Sequence, residues 1–173
     1  MNNTSIKYLI DTNSLITPFK TYYPFDFARK FWEQLKKSII DGDIIILDVV
    51  KEELNKGDDE LSEWINRIDN SLILNHIHPS IIANYAEILQ HIQLSEYYKE
   101  KALLDWSKGG VADPWLIAAA RTNGYKLVTF ETKNANLNST NKCSRAKIPD
   151  VSEAFGVECD NLYNMMRILR FVI

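Results

Sequence analysis

Four acidic side chains occupy places from which acids can do chemistry. Asp11 follows the short apolar run 6–10 at once, and Glu131 follows the run 127–130 in the same way. Glu53 lies in a helical stretch just after the apolar run 43–47, and Asp113 directly precedes Pro114 at a helix start. Successive members stand 18 to 60 residues apart, so only the tertiary fold can gather them. Gathered without a counter-charge, such acids repel one another and hold protons above the usual carboxylate range. A divalent cation removes that penalty. Hard oxygen donors favour Mg²⁺ or Mn²⁺, ions that keep water molecules for chemistry.

The elements that must position these acids follow from periodicity. Apart from Lys7 and Asp43 the run 6–10 and the run 43–47 are apolar without alternation, as strands buried on both faces of a parallel sheet are. Between them Ala28, Phe31, Trp32, Leu35 and Ile39 recur at helical spacing, and Gly42 suits the C-terminal cap. A short helix is predicted over 49–54. The middle of the chain reads as helical, with Leu61, Trp64, Ile65 and Ile68 on one face and Ile82, Tyr85, Ala86, Leu89 and Ile92 on another. A further helix is predicted from Ser95 to Trp106, and 72–74 as a short strand. Asp113 as N-cap and Pro114 as first residue open a helix that runs to about Asn123, where Gly124 closes it. Leu127 to Phe130 follow as a strand, 132–147 as a long polar loop, 151–155 and 162–169 as helices, and 171–173 as a last short strand. Strands and helices in alternation imply an α/β sandwich with a mainly parallel sheet, whose carboxyl edge gathers the acids into one crevice.

The residues around the four acids resemble a known family. Tyr8-Leu9-Ile10-Asp11-Thr12-Asn13-Ser14-Leu15-Ile16 resembles the opening of a PIN domain, and Val49-Val50-Lys51-Glu52-Glu53-Leu54 its second motif. Gly110-Val111-Ala112-Asp113-Pro114-Trp115-Leu116-Ile117-Ala118-Ala119-Ala120 is similar to the third motif, and Leu127-Val128-Thr129-Phe130-Glu131 to the fourth. Of the neighbours Glu52 and Glu53, Glu53 has the motif's spacing from Val50 and its following Leu54. The tail from Lys147-Ile148-Pro149-Asp150-Val151 resembles a PIN-like subfamily of poorly defined function. Two positions depart from the pattern of the family's VapC-like toxins: Glu131 stands where Asp is usual, and Pro114 where a small residue is common.

The resemblance implies one PIN-like domain over 1–173, a three-layer α/β/α sandwich with a mainly parallel central sheet. It implies a Mg²⁺- or Mn²⁺-dependent endoribonuclease cutting single-stranded RNA, of the kind that VapC-like toxins of toxin–antitoxin pairs are. Asp11 and Asp113 are then the main metal ligands, and Glu53 and Glu131 complete the inner or outer shell. Asn13 and Thr129 resemble the family's polar support positions and are expected to hold the Asp11 turn by hydrogen bonds. An antitoxin protein and a second copy of the chain are the partners so implied. A PIN-fold module that binds RNA or protein without cutting is the alternative. A haloacid-dehalogenase-type phosphatase wants a second Asp two residues after the first, where Asn13 stands.

Composition narrows the setting. The 173 residues are 46% hydrophobic and 25% charged, which is globular, and the formal charge of −3 argues against a general nucleic-acid coat protein. No apolar stretch reaches the roughly eighteen residues of a membrane span, and residues 1–7 lack a signal-peptide pattern. Cys143 and Cys159 form no metal or disulfide pattern and read as free thiols of a cytoplasmic protein. His76, His78 and His91 read as structural, and Trp32, Trp64, Trp106 and Trp115 as core. The loop 133–147 carries Lys133, Lys142, Arg145 and Lys147 and no acid. It leaves the strand that delivers Glu131, so Lys142, Arg145 and Lys147 are candidates to hold RNA phosphates.

Overall fold

The computed structural model describes residues 6–172. Five strands, β1 (Tyr8–Ile10), β2 (Ile44–Leu47), β3 (Ile73–Leu74), β4 (Lys126–Val128) and β5 (Cys159–Asp160), form one sheet in the order β3-β2-β1-β4-β5. Every pairing is parallel. Nine α-helices are described: α1 (Asn13–Thr17), α2 (Arg29–Ile40), α3 (Asp48–Asn55), α4 (Glu60–Asn66), α5 (Pro79–Leu94), α6 (Glu100–Trp106), α7 (Ala112–Asn123), α8 (Ile148–Ala154) and α9 (Leu162–Ile168). The architecture is a three-layer α/β/α sandwich. Tyr8, Leu9 and Ile10 are all fully buried, and successive strand residues point to opposite faces, so both faces of the central strand are covered.

From β1 the chain builds outward to β2 and β3 on one side and returns to β4 and β5 on the other. The order therefore reverses between β1 and β4. In open parallel sheets that reversal leaves a crevice at the carboxyl ends of the two strands. On one side of the sheet an aromatic cluster fixes α2: Phe25 stacks on Trp32 at 4.3 Å, and Trp32 meets Trp64 of α4 edge-on at 5.0 Å. Truncating Trp32 to Ala would cost about 3–5 kcal/mol. Among the described residues no helix is long and apolar enough to cross a membrane.

Several expected boundaries move. The helix predicted from Ser95 begins at Glu100, because Tyr98 is buried and the chain beside it pairs with the long loop. Cys143 N–H donates to Tyr97 O and Lys99 N–H to Cys143 O, both at 2.8 Å. The buried face of α5 consists of Ile81, Ile88 and Ile92, whereas Ile82 and Ala86 are exposed. α7 starts one residue before Asp113, so Asp113 lies inside the first turn and Val111 is the N-cap; Gly124 closes the helix at φ +69°. Cys159–Asp160 is a strand that periodicity missed, being two residues long. Phe171 and Val172 form no strand. The Gln34 amide pairs with Val172 instead, accepting from its N–H at 2.8 Å and donating to its carbonyl at 2.6 Å. Ile173, and most of the segment 1–7 read for a signal peptide, lie outside the described residues.

Candidate active site

Asp11 directly follows the central strand, and its N–H donates to Val128 O at 2.9 Å, which locks it beside the end of β4. Only 1% of Asp11 is exposed. The buried Thr129 hydroxyl donates to Asp11 Oδ2 at 2.9 Å and accepts the Glu131 N–H at 3.0 Å. The two acid positions that flank the reversal point are thus joined through one side chain, in a chain whose bonds polarise one another. Burial raises the Asp11 pKa to about 6; the Thr129 hydroxyl and the Asn13 N–H oppose the rise, and the charges of Glu131 and Glu53 add to it.

Asp113 enters from the first turn of α7 and is half-buried. Burial, then the charges of Asp11, Glu131 and Glu53, push it up to about 7. The four are gathered at one edge of the sheet by hydrogen bonds: Thr129 joins Asp11 to the Glu131 N–H, and Glu53 joins Thr12, next to Asp11, to Ala112, next to Asp113. Among the described residues none of the four takes part in an ion pair.

The two glutamates are built in differently. Glu53 Oε1 accepts the N–H of Ala112 at 3.0 Å, and Oε2 accepts the Thr12 hydroxyl at 2.5 Å. Glu131 Oε2 accepts the N–H of Ile148 at 2.7 Å. Ala112 and Ile148 are the first residues of α7 and α8, and the residues before them, Val111 and Lys147, supply no side-chain cap. The orphan N–H of each helix is therefore satisfied by a distant glutamate, which also suits the positive end of the helix dipole. This is why α7 needs no N-cap side chain and Asp113 is left free of that task. Glu52 is exposed, so Glu53 is the one turned inward.

Thr12 is a participant that the sequence reading did not single out; its place between Asp11 and Asn13 is the only local signal. Asn13 is exposed, and its contribution to the Asp11 turn comes through its backbone N–H rather than its side chain. In the loop, Lys147 Nζ donates to Thr132 O at 3.1 Å and Lys133 pairs with Glu153 at 2.6 Å. Lys142 and Arg145 are exposed on either side of the pinned Cys143.

The donor set is all hard oxygen, which suits Mg²⁺ or Mn²⁺. As the side chains lie, no three acidic, histidine or cysteine groups among the described residues stand close enough to enclose an ion. Among the described residues Asp113 accepts no hydrogen bond from another side chain, Asp11 is bonded to Thr129 through Oδ2 and Glu131 to Ile148 N–H through Oε2. These three keep an oxygen to spare, while both oxygens of Glu53 are engaged. Mg²⁺ is commonly held by one or two carboxylates, with water and substrate phosphate filling the other positions, so a pair fits the ion.

Residues 8–173 match the family model described as Domain of unknown function (DUF4411). The chain belongs to that family. The DUF4411 match starts at the first residue of β1 and includes all four acids together with α8, β5 and α9. No curated protein matches the chain significantly.

Proposed function

We propose that this DUF4411 protein is a metal-dependent endoribonuclease of PIN type that hydrolyses phosphodiesters of single-stranded RNA. The observation that carries the reading is the gathering of four acids, none in an ion pair, where the strand order reverses. A cation held there would polarise the phosphodiester, lower the pKa of bound water and steady the leaving 3′ oxygen. Asp11 and Asp113 would hold it. Thr129 orients Asp11, while Glu53 and Glu131 fix the helix starts and add negative charge around the ion. Lys142 and Arg145 would hold the RNA backbone. No protein nucleophile is needed.

A role as the toxin of a toxin–antitoxin pair, acting in the cytoplasm and restrained by a partner protein, extends the same proposal. Purified protein should cleave labelled single-stranded RNA with Mn²⁺ or Mg²⁺ and leave it intact in chelator. Full cleavage in chelator would overturn the metal mechanism. RNA binding with no cleavage under any metal would favour the non-catalytic module. Growth arrest of a bacterial host by the intact protein, and none by Asp113→Ala, would support the toxin role; equal arrest by both would remove it.

A further inference from the structure

Beside the four acids the same sheet edge carries an imidazole with an unusual mounting. Asp48 directly follows β2, and His76 comes two residues after β3. The Asp48 carboxylate accepts the His76 N–H at 3.1 Å (Oδ1) and 3.2 Å (Oδ2), and His76 Nδ1 lies 2.8 Å from Oδ1. The ring stands edge-on to Trp115 at 4.6 Å, and Trp115 stacks on Tyr85 at 3.7 Å. Strands in a sheet are about 4.8 Å apart, so Asp48 and His76 sit about 5–10 Å to the side of the Asp11 strand. That is within reach of a nucleotide flanking a bound scissile bond.

The backbone tie to Asp48 does not need the imidazole. Asp48 already anchors the loop after β3 through the His76 backbone N–H, on both oxygens. The ring adds a third contact and leaves Nε2 with no partner among the described residues, yet not sealed from solvent. A carboxylate oxygen accepts, so the hydrogen of the neutral ring sits on Nδ1 and Nε2 carries a lone pair. A phosphate diester has no hydrogen to give it. The donor that every ribonucleotide offers, whatever its base, is the 2′-hydroxyl.

Resting on the nuclease reading, we propose that His76 is a substrate-binding residue whose Nε2 accepts a hydrogen bond from a ribose 2′-hydroxyl next to the scissile bond, giving preference for RNA over DNA. Asp48 is the positioning residue that fixes the ring.

The test compares binding of fluorescein-labelled single-stranded RNA and DNA of one sequence at pH 8, in an Asp11→Asn background so that nothing is cut. His76→Asn keeps an amide nitrogen where Nδ1 meets Asp48 and lacks Nε2; His76→Gln sets an amide oxygen near the Nε2 position. The parent should bind RNA more tightly than DNA. His76→Asn should lose about tenfold in RNA affinity and little in DNA affinity, and His76→Gln should recover part of it. An unchanged RNA-to-DNA ratio in both variants overturns the proposal. So does an equal loss for both nucleic acids, which marks a structural tie or a phosphate contact. If the intact protein cleaves RNA and the ratio still does not move, only this inference falls. If it neither cleaves nor binds RNA, the nuclease reading falls and takes this one with it.

Discussion

The two edges of the sheet handle charge in opposite ways. At the amino edge a cleft is lined by Lys7, Arg121, Tyr125, Lys126, Phe155 and Glu158. There Lys126 pairs with Glu158 at 3.0 Å, while Arg121 pairs with Glu87 at 2.5 Å and lies over the Phe155 ring. At the carboxyl edge four acids lie together with no described ion-pair partner, and two of them are pushed up to about 6 and about 7. Paired charges hold a surface together. Gathered charges of one sign work against the fold, and groups perturbed in this way cluster at functional sites.

The largest expected effect falls on the unbalanced edge. Under the proposed metal mechanism, Asp11→Asn or Asp113→Asn should reduce RNA cleavage at least about a hundredfold, because the cation would lose one of its two proposed holders. Circular dichroism should be unchanged. Cleavage within a few-fold of the parent would remove that aspartate from the site.

The same acids should make metal-free stability depend on pH. Their folded pKa values lie above the usual 3.8, so the native state holds extra protons between there and about 7. Their contribution to stability is therefore greatest below that window, falls as pH rises through it, and levels off above. The loss should be on the order of 2 kcal/mol, read from urea unfolding in chelator at pH 5 and pH 8. Mn²⁺ should restore most of it, and Asp113→Asn should flatten the profile. A metal-free protein more stable at pH 8 than at pH 5 would contradict the electrostatic account.

Smaller effects separate capping from charge. Glu131→Ala leaves Ile148 N–H without its acceptor and should cost about 1 kcal/mol, whereas Glu131→Gln keeps an acceptor oxygen and should cost less. If Gln restores stability and not cleavage, the negative charge matters beyond the cap. Replacing Lys142 and Arg145 with Gln should flatten the salt dependence of RNA binding by about 0.7 per lost contact, with Lys147→Gln adding less because its ammonium is already tied to Thr132 O. At the balanced edge Lys126→Met should cost under about 1 kcal/mol and leave cleavage alone. A cleavage defect there would mean that the two edges are coupled.

What was legible in the sequence was local. Apolar runs ending in Asp11, in the helix of Glu53 and in Glu131 marked three strands and the edge on which their acids would stand. What the glutamates do was not legible, because Glu53 meets Thr12 and Ala112, and Glu131 meets Ile148, across long stretches of chain. The face of α5 is legible in part: Ile92 is buried and Tyr85 and Leu89 pack against the core, but Ile81 and Ile82 are both apolar, and only packing against α7 decides which of them is buried. The long loop looked solvated throughout, since a pairing of Cys143 with the chain at Tyr97 and Lys99 has no pattern in composition.

The bond from Ile148 N–H to Glu131 also sets how small the working unit can be. A chain ended before Ile148 would keep every acid, four of the five strands and the motifs that resemble a nuclease. It would lose the helix end that aims Glu131 and the strand whose Asp160 carbonyl receives Thr129 N–H at 3.1 Å. Thr129 would then stand at a bare sheet edge, and its hold on Asp11 would loosen. The last 26 residues supply no acid to the crevice, yet the crevice keeps its shape only while they are attached.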